Sequence, residues 1–211
     1  MHELGHLLWE ELRLSEGERR FAALTGVNPA FGGNHSDMGT HNSLLSLSQG
    51  KYLEIIALDP AHLKAAHLPE ETLSNFKPRL FAFGVRTHDL ARVEQLASAG
   101  GLKVSDVHNI SQQSPDGRML RWQTVVVEGH NFGDFIHFFT LCGDMVHPSE
   151  TAPKGCDLLE FSIGHPQHRE LSRLYTALEI NVPVLESEQP RLRAILSTPK
   201  GEVVLDSGGG V

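Results

Sequence analysis

Cysteine is scarce in this 211-residue chain: Cys142 and Cys156 are the only two, and they form no CxxC pair. A disulfide framework needs more, so the sequence reads as a protein of a reducing compartment. Basic residues are also few. Eighteen Lys and Arg stand against 26 Asp and Glu, a formal charge of −8, with no basic patch to set against it. Binding to phosphate backbones or anionic bilayers takes clustered positive charge, which excludes nucleic acid and membrane surfaces as partners. Long apolar runs are missing, since nothing approaches the ~20 residues of a membrane helix. The first twenty residues hold Glu3, Glu10, Glu11, Arg13, Glu16 and Glu18, charges that a secretory apolar segment does not tolerate. We therefore expect a cytoplasmic protein. There is no Walker-type or GxGxxG phosphate cradle and no GxSxG elbow.

What is present is an ordinary globular balance of apolar and charged residues, an unusual count of 13 histidines, and a repeating order of elements. An apolar stretch at 4–9 precedes a helical stretch at 15–24, where Ser15 and Glu18 have capping-box spacing and Gly26 is a stop. A Gly- and Asn-rich segment, 31–40, and two strands, 42–47 and 52–58, follow. The order β, α, β, β, β then returns: a strand at 80–86, a helix at 87–99, and strands at 104–112, 119–127 and 135–142, with a turn at Pro115-Asp116-Gly117. A third, shorter round has a strand at 158–163, a helix at 168–178 and strands at 182–186, 192–198 and 202–205. The expected fold class is α+β, with repeated βαβββ units forming curved mixed sheets around a cleft. The units are 1–60, 79–143 and 155–206, joined by a linker at 61–78 and closed by a flexible Gly-rich tail at 207–211.

The residues themselves carry a resemblance. Leu4-Gly5-His6-Leu7-Leu8-Trp9 and Phe21-Ala22-Ala23-Leu24-Thr25-Gly26-Val27 come first, then Gly32-Gly33-Asn34-His35, Gly39-Thr40-His41-Asn42 and Tyr52-Leu53-Glu54-Ile55-Ile56-Ala57. Further on stand His137-Phe138-Phe139, His147-Pro148-Ser149, Gly155-Cys156 and Pro190-Arg191-Leu192-Arg193. In this combination and order the sequence resembles the glyoxalase-like domain family of the vicinal oxygen chelate superfamily over nearly its whole length. The resemblance implies a divalent metal (Zn, Ni, Fe or Mn), with ligands from the first and fourth strands of each unit. Carried onto this chain, those are His6 and Glu54. The second unit departs from the pattern: its first strand, 80–86, has no ligating side chain in its middle. The remaining ligands are then expected from His137, or from Glu160 on the next strand.

Imidazole and carboxylate together suit a borderline divalent ion. Glu54 stands inside an apolar strand, where a carboxylate needs a metal, a cation or a proton. Alternation sets it on the face opposite Leu53 and Ile55. His41 is the candidate proton carrier, and Glu54 the other candidate catalytic residue. His35 and Asn42, beside the Gly-rich turn, and Arg121 and Trp122, on a later strand, are candidates for substrate binding. Arg121 has the geometry to clamp a carboxylate. His2-Glu3-Leu4-Gly5-His6 also spells HExxH, which in zinc proteases lies on a helix. Here it falls where a strand is expected, which makes a chance match the better reading.

The resemblance implies a metal-dependent isomerase, lyase or dioxygenase acting on a small oxygenated molecule. The alternative is a metal-free module of the same fold that binds or sequesters a small ligand. Either a monomer or a homodimer is compatible with paired units.

Overall fold

The computed structural model describes residues 1–35, 38–65, 70–114, 117–136, 138–143 and 146–208. The Pro115-Asp116 part of the expected turn and residues 209–211 of the tail lie outside them.

The first unit runs β1 (Glu3–Glu10), α1 (Leu14–Thr25), β2 (Ala30–His35), β3 (Thr40–Ser46) and β4 (Tyr52–Leu58). Strand β1 pairs parallel with β4, β4 antiparallel with β3, and β3 antiparallel with β2. Helix α1 starts one residue before the expected capping box, and its N-cap, Arg13, makes no side-chain cap. Glu18 instead accepts a 2.6 Å hydrogen bond from Ser43 Oγ, which ties the helix to the sheet. Gly26 ends the helix in the left-handed region, as glycine does most easily. The linker carries two short helices, α2 (Pro60–Ala65) and α3 (Glu70–Asn75).

The second unit repeats the wiring with β5 (Arg79–Arg86), α4 (Leu90–Ala99), β6 (Lys103–Val104), β7 (His108–Gln113), β8 (Met119–Glu128) and β9 (Phe138–Leu141). Helix α4 begins three residues later than expected because Asp89 caps it, accepting from Arg92 N–H at 3.1 Å. The strand expected at 104–112 is divided. Ser105 puts its hydroxyl into the ladder, accepting from Val126 N–H at 3.0 Å, and pairing resumes only at His108. Strand β9 starts late because Gly133–Phe135 forms a 3-10 turn. As before, the first strand runs parallel to the last, β5 with β9.

The two units meet twice. Strands β1 and β5 pair antiparallel along their length, and β2 meets β7 through one pair, Asn34 with Gln113. With β8 also paired to β9, eight strands close into a ring. An eight-stranded ring is wide enough to hold side chains or one small ligand.

After a turn of helix, α5 (Pro148–Thr151), come β10 (Asp157–His165), α6 (His168–Ala177), β11 (Val184–Glu186), β12 (Arg191–Thr198) and β13 (Gly201–Asp206). The elements follow the expected order, but the wiring differs. Strand β10 pairs with β11 and β12, in a four-stranded sheet ordered β11-β10-β12-β13. This sheet lays Phe161, Ile163, Leu192 and Ala194 on the outside of the ring, where Phe161 meets Phe83 at 5.2 Å between ring centroids.

Alternation explains the core. Leu7, Trp9, Leu53, Ile55, Val125 and Val127 point out of the ring into one apolar cluster under the helices and the second sheet. Their neighbours in sequence point inward. Burial of both faces is why β1 is apolar almost throughout. At the end of β1 the buried Glu11 accepts from Trp9 Nε1 at 3.0 Å and from Arg20 Nε at 2.7 Å, fastening α1 to the strand. Gly17 allows this close approach.

Gly17→Ala adds a methyl group 2.6 Å from Ile55 Cγ2 and 2.7 Å from Glu11 Cγ. Helix propensity favours alanine by roughly 1 kcal/mol, but overpacking costs about 1–3 kcal/mol. The variant is expected to lower the urea midpoint; a raised midpoint would mean that α1 can back away from the sheet. A second expectation concerns pH. Burial lowers the pKa of His2, His130, His147 and His165 below the ordinary 6.5. As pH falls through about 6.5 the unfolded chain binds protons that the folded chain refuses, so stability is full above that value and declines below it. Asp59 and Glu179, whose pKa values are also lowered, titrate well beneath this window. The urea midpoint should therefore be lower near pH 5.5 than near pH 7.5, and equal midpoints would contradict the argument.

Candidate active site

The inward set of side chains bounds a cavity of about 530 Å³ inside the ring. Leu8, Leu44, Ile56, Phe81, Trp122 and Phe138 make much of its wall apolar, while His6, His35, Asn42, Glu54 and Gln112 form a polar cluster. A largely apolar hollow with a few convergent polar groups is the usual form of a small-molecule site.

The cluster has a direction, which Glu54 sets. An ionised carboxylate only accepts hydrogen bonds, so the Asn42 atom 2.9 Å from Glu54 Oε1 is the donor Nδ2. Asn42 Oδ1 then accepts from Gln112 Nε2 at 3.0 Å. Gln112 Oε1, 3.2 Å from His35 Nε2, requires the proton on that nitrogen, and His35 Nδ1 accepts from the Thr40 hydroxyl at 2.9 Å. Asn42 Nδ2 is also 3.3 Å from His35 Nε2, but in this arrangement both are donors and the contact is not a bond. The chain of bonds runs from Thr40 to Glu54, with Gln112 reaching in from the second unit. Gly32 leaves the room for it, since a Cβ there would lie 2.3 Å from Asn42 Oδ1.

With Oε1 held by Asn42, Glu54 Oε2 faces His6 Nε2 at 3.8 Å. The His6 ring stacks on Tyr52, 4.7 Å between centroids and 8° from parallel. Burial, with the Glu54 charge adding to it, holds the Tyr52 phenol well above its ordinary pKa of 10.0. His6 pairs in register with Gly84 on β5, and a Cβ at Gly84 would sit 2.2 Å from His6 Cε1. The His6 ring thus occupies the space that a side chain at Gly84 would need.

The donor chemistry fits a divalent metal at His6 and Glu54. Two metal–ligand bonds of about 2.1 Å span up to about 4.2 Å, so one ion can touch both atoms. The Asn42 bond to the other oxygen is the kind of outer-shell contact that orients a ligating carboxylate. His35 is 3.9 Å from Glu54 Oε1, but Gln112 takes up its Nε2. Among the described residues no group of three or more His, Cys, Asp or Glu converges, and His137 lies outside those residues.

The other expected site residues are dispersed. Trp122 lines the cavity. His41 follows the opposite alternation from Asn42: it stands outside the ring, edge-on to Phe31 at 6.5 Å, and burial lowers its pKa. Arg121 likewise points outward, exposed, beside a shallow hollow with Asn109, Gln123 and Leu141. It cannot clamp a carboxylate in the cavity. Glu160 is exposed on β10, in the second sheet, so it does not complete a site with His6. The HExxH segment is strand from Glu3 onward, which places the two imidazoles about 13 Å apart along an extended chain and removes the protease reading. Sequence reasoning missed Gln112 and Thr140. The first matters only because β2 meets β7, and the second carries no motif beyond its inward alternation.

A Glyoxalase-like domain model matches residues 5–179. No curated protein matches the chain. Among solved structures it is similar to a hypothetical protein from Staphylococcus aureus, with a TM-score of 0.66 and 12% identity over 98% of this chain and 85% of that one. It is also similar to a triple mutant of 4-hydroxymandelate synthase from Streptomyces coelicolor, with a TM-score of 0.51 and 13% identity over 97% of this chain and 62% of that one. At such identities the likeness is one of fold. The family match over most of the chain, on a fold of paired βαβββ units around a cavity, shows that the protein belongs to the Glyoxalase-like domain family.

Proposed function

We propose that the protein is a metal-dependent enzyme of the isomerase, lyase or dioxygenase type, acting on a small oxygenated molecule bound inside the ring. The reading is carried by His6 Nε2 and Glu54 Oε2, which face each other across 3.8 Å at the polar cluster of an otherwise apolar cavity. In this reading His6 and Glu54 hold zinc, nickel, iron or manganese; His137, the further ligand that the resemblance suggests, lies outside the described residues. A bound ion would supply Lewis-acid stabilisation of negative charge on substrate oxygens.

The chain's own groups do the rest. Asn42 fixes the carboxylate of Glu54, and Gln112 and His35 fix Asn42. Glu54 Oε2 is the carboxylate oxygen left facing the cavity, and it would be the atom that holds the ion. Trp122 and Phe138 help exclude water, which strengthens the electrostatic interactions within. His41 stands outside the ring and receives no role. We place the protein in the cytoplasm, in keeping with two free cysteines, acting as a monomer or homodimer. No helix among the described residues is long and apolar enough to cross a membrane.

A metal-free binding module is the second reading, favoured by the lack of a third converging ligand among the described residues. Elemental analysis of untagged protein separates the two. The enzyme reading expects near-stoichiometric divalent metal in the wild type and its loss in Glu54→Gln. Wild-type protein that stays empty after incubation with zinc, nickel, manganese and ferrous iron would overturn it and leave the binding module. Asn42→Ala is expected to weaken metal retention about 10- to 100-fold with an unchanged circular dichroism spectrum. Unchanged retention would show that Asn42 does not position the carboxylate.

A further inference from the structure

Two observations say what kind of molecule the cavity accepts. The first is its charge. Among the described residues that line it there is no Lys or Arg, and Glu54 is the one acid. Arg121, the candidate carboxylate clamp, is on the outer surface. An anion entering the ring meets hydrocarbon, aromatic rings, the histidines His6, His35 and His108 and a like charge, and Arg86, whose charge reaches Cys142 on the wall, is already paired with Glu3 at 2.9 Å. The second is Thr140. It is 6% exposed and lines the cavity, and its Oγ1 is buried with no hydrogen-bond partner. It sits on β9 between Arg86 of β5 and Thr124 of β8 in register. Buried hydroxyls are nearly always partnered, and this one faces the space that a ligand would fill.

We infer that the cavity takes a largely apolar molecule that bears a hydroxyl or carbonyl oxygen and no carboxylate or phosphate, and that the Thr140 hydroxyl is one of its hydrogen-bond partners. The inference rests on the cavity being the ligand site and does not need the metal. For the metal-free cavity it sorts oxygenated molecules by charge: alcohols, ketones and phenols enter, and acids and phosphate esters do not.

The test uses the full, untagged chain after removal of metal with a chelator. The probes are benzylacetone, a neutral ketone, and hydrocinnamate, a carboxylate of similar size. Trp122 reports binding by fluorescence, because it lines the cavity while Trp9 is fully buried in the core. Benzylacetone is expected to bind at least about tenfold more tightly than hydrocinnamate, and Glu54→Gln should narrow that gap. Thr140→Val should weaken benzylacetone about five- to tenfold, and Thr140→Ser, which keeps the hydroxyl, should restore most of the loss. Equal or tighter binding of hydrocinnamate overturns the charge selection, as does a gap unchanged in Glu54→Gln. Equal affinity of wild type and Thr140→Val overturns the role of Thr140. No binding of either probe up to its solubility limit overturns the inference as a whole. A wild type that takes up no metal in the elemental analysis yet keeps these ratios would sink the enzyme reading alone, and one that takes up metal but lacks these ratios once stripped would sink this inference alone.

Discussion

A carboxylate inside a protein must be compensated, and in this molecule the compensation of Glu54 organises everything around it. Because an ionised acid can only accept, the amide of Asn42 has one allowed orientation, and so in turn do the amide of Gln112, the tautomer of His35 and the hydroxyl of Thr40. Four side chains from β2, β3 and β7 are thereby set by the charge on one from β4. A cluster with each member's role fixed is stiff, and stiffness is what a site needs to present one oxygen of a carboxylate in a constant direction.

The same bonds hold the architecture together. Among the described residues the β2–β7 seam has one backbone pair, Asn34 with Gln113, far less than the long β1–β5 seam on the other side of the ring. Gln112 crosses the weak seam and reaches His35 and Asn42. Closure of the ring and order in the site are thus one event. The second sheet has no such duty. It covers the outside of β5, and its different wiring reflects a surface that must be flat enough to pack and need not curve around a hollow.

Much of this was legible in the sequence, for a local reason. Strand alternation is a two-residue signal, so the segment from Tyr52 to Leu58 reads directly as a strand with Glu54 opposed to Leu53 and Ile55. The order of elements in the first two units reads the same way. What escaped depended on distant pairing. His41 and Asn42 are adjacent and both polar, and only the position of β3 in the ring decides which faces inward. Gln112 is an unremarkable polar residue until β7 meets β2. The capping-box spacing of Ser15 and Glu18 is sound locally, but the tertiary bond from Ser43 claims Glu18. In the third round the order of elements was readable and its wiring was not, because strand pairing is decided by what the sheet packs against.

Gly84 has a wider meaning. The two units share a wiring diagram, yet across the β1–β5 seam the imidazole of one rests on the bare backbone of the other. One half gives the ring its functional group, and the other gives the void that receives it. A side chain at Gly84 would evict the His6 ring, so change in one half is constrained by steric debt to the other.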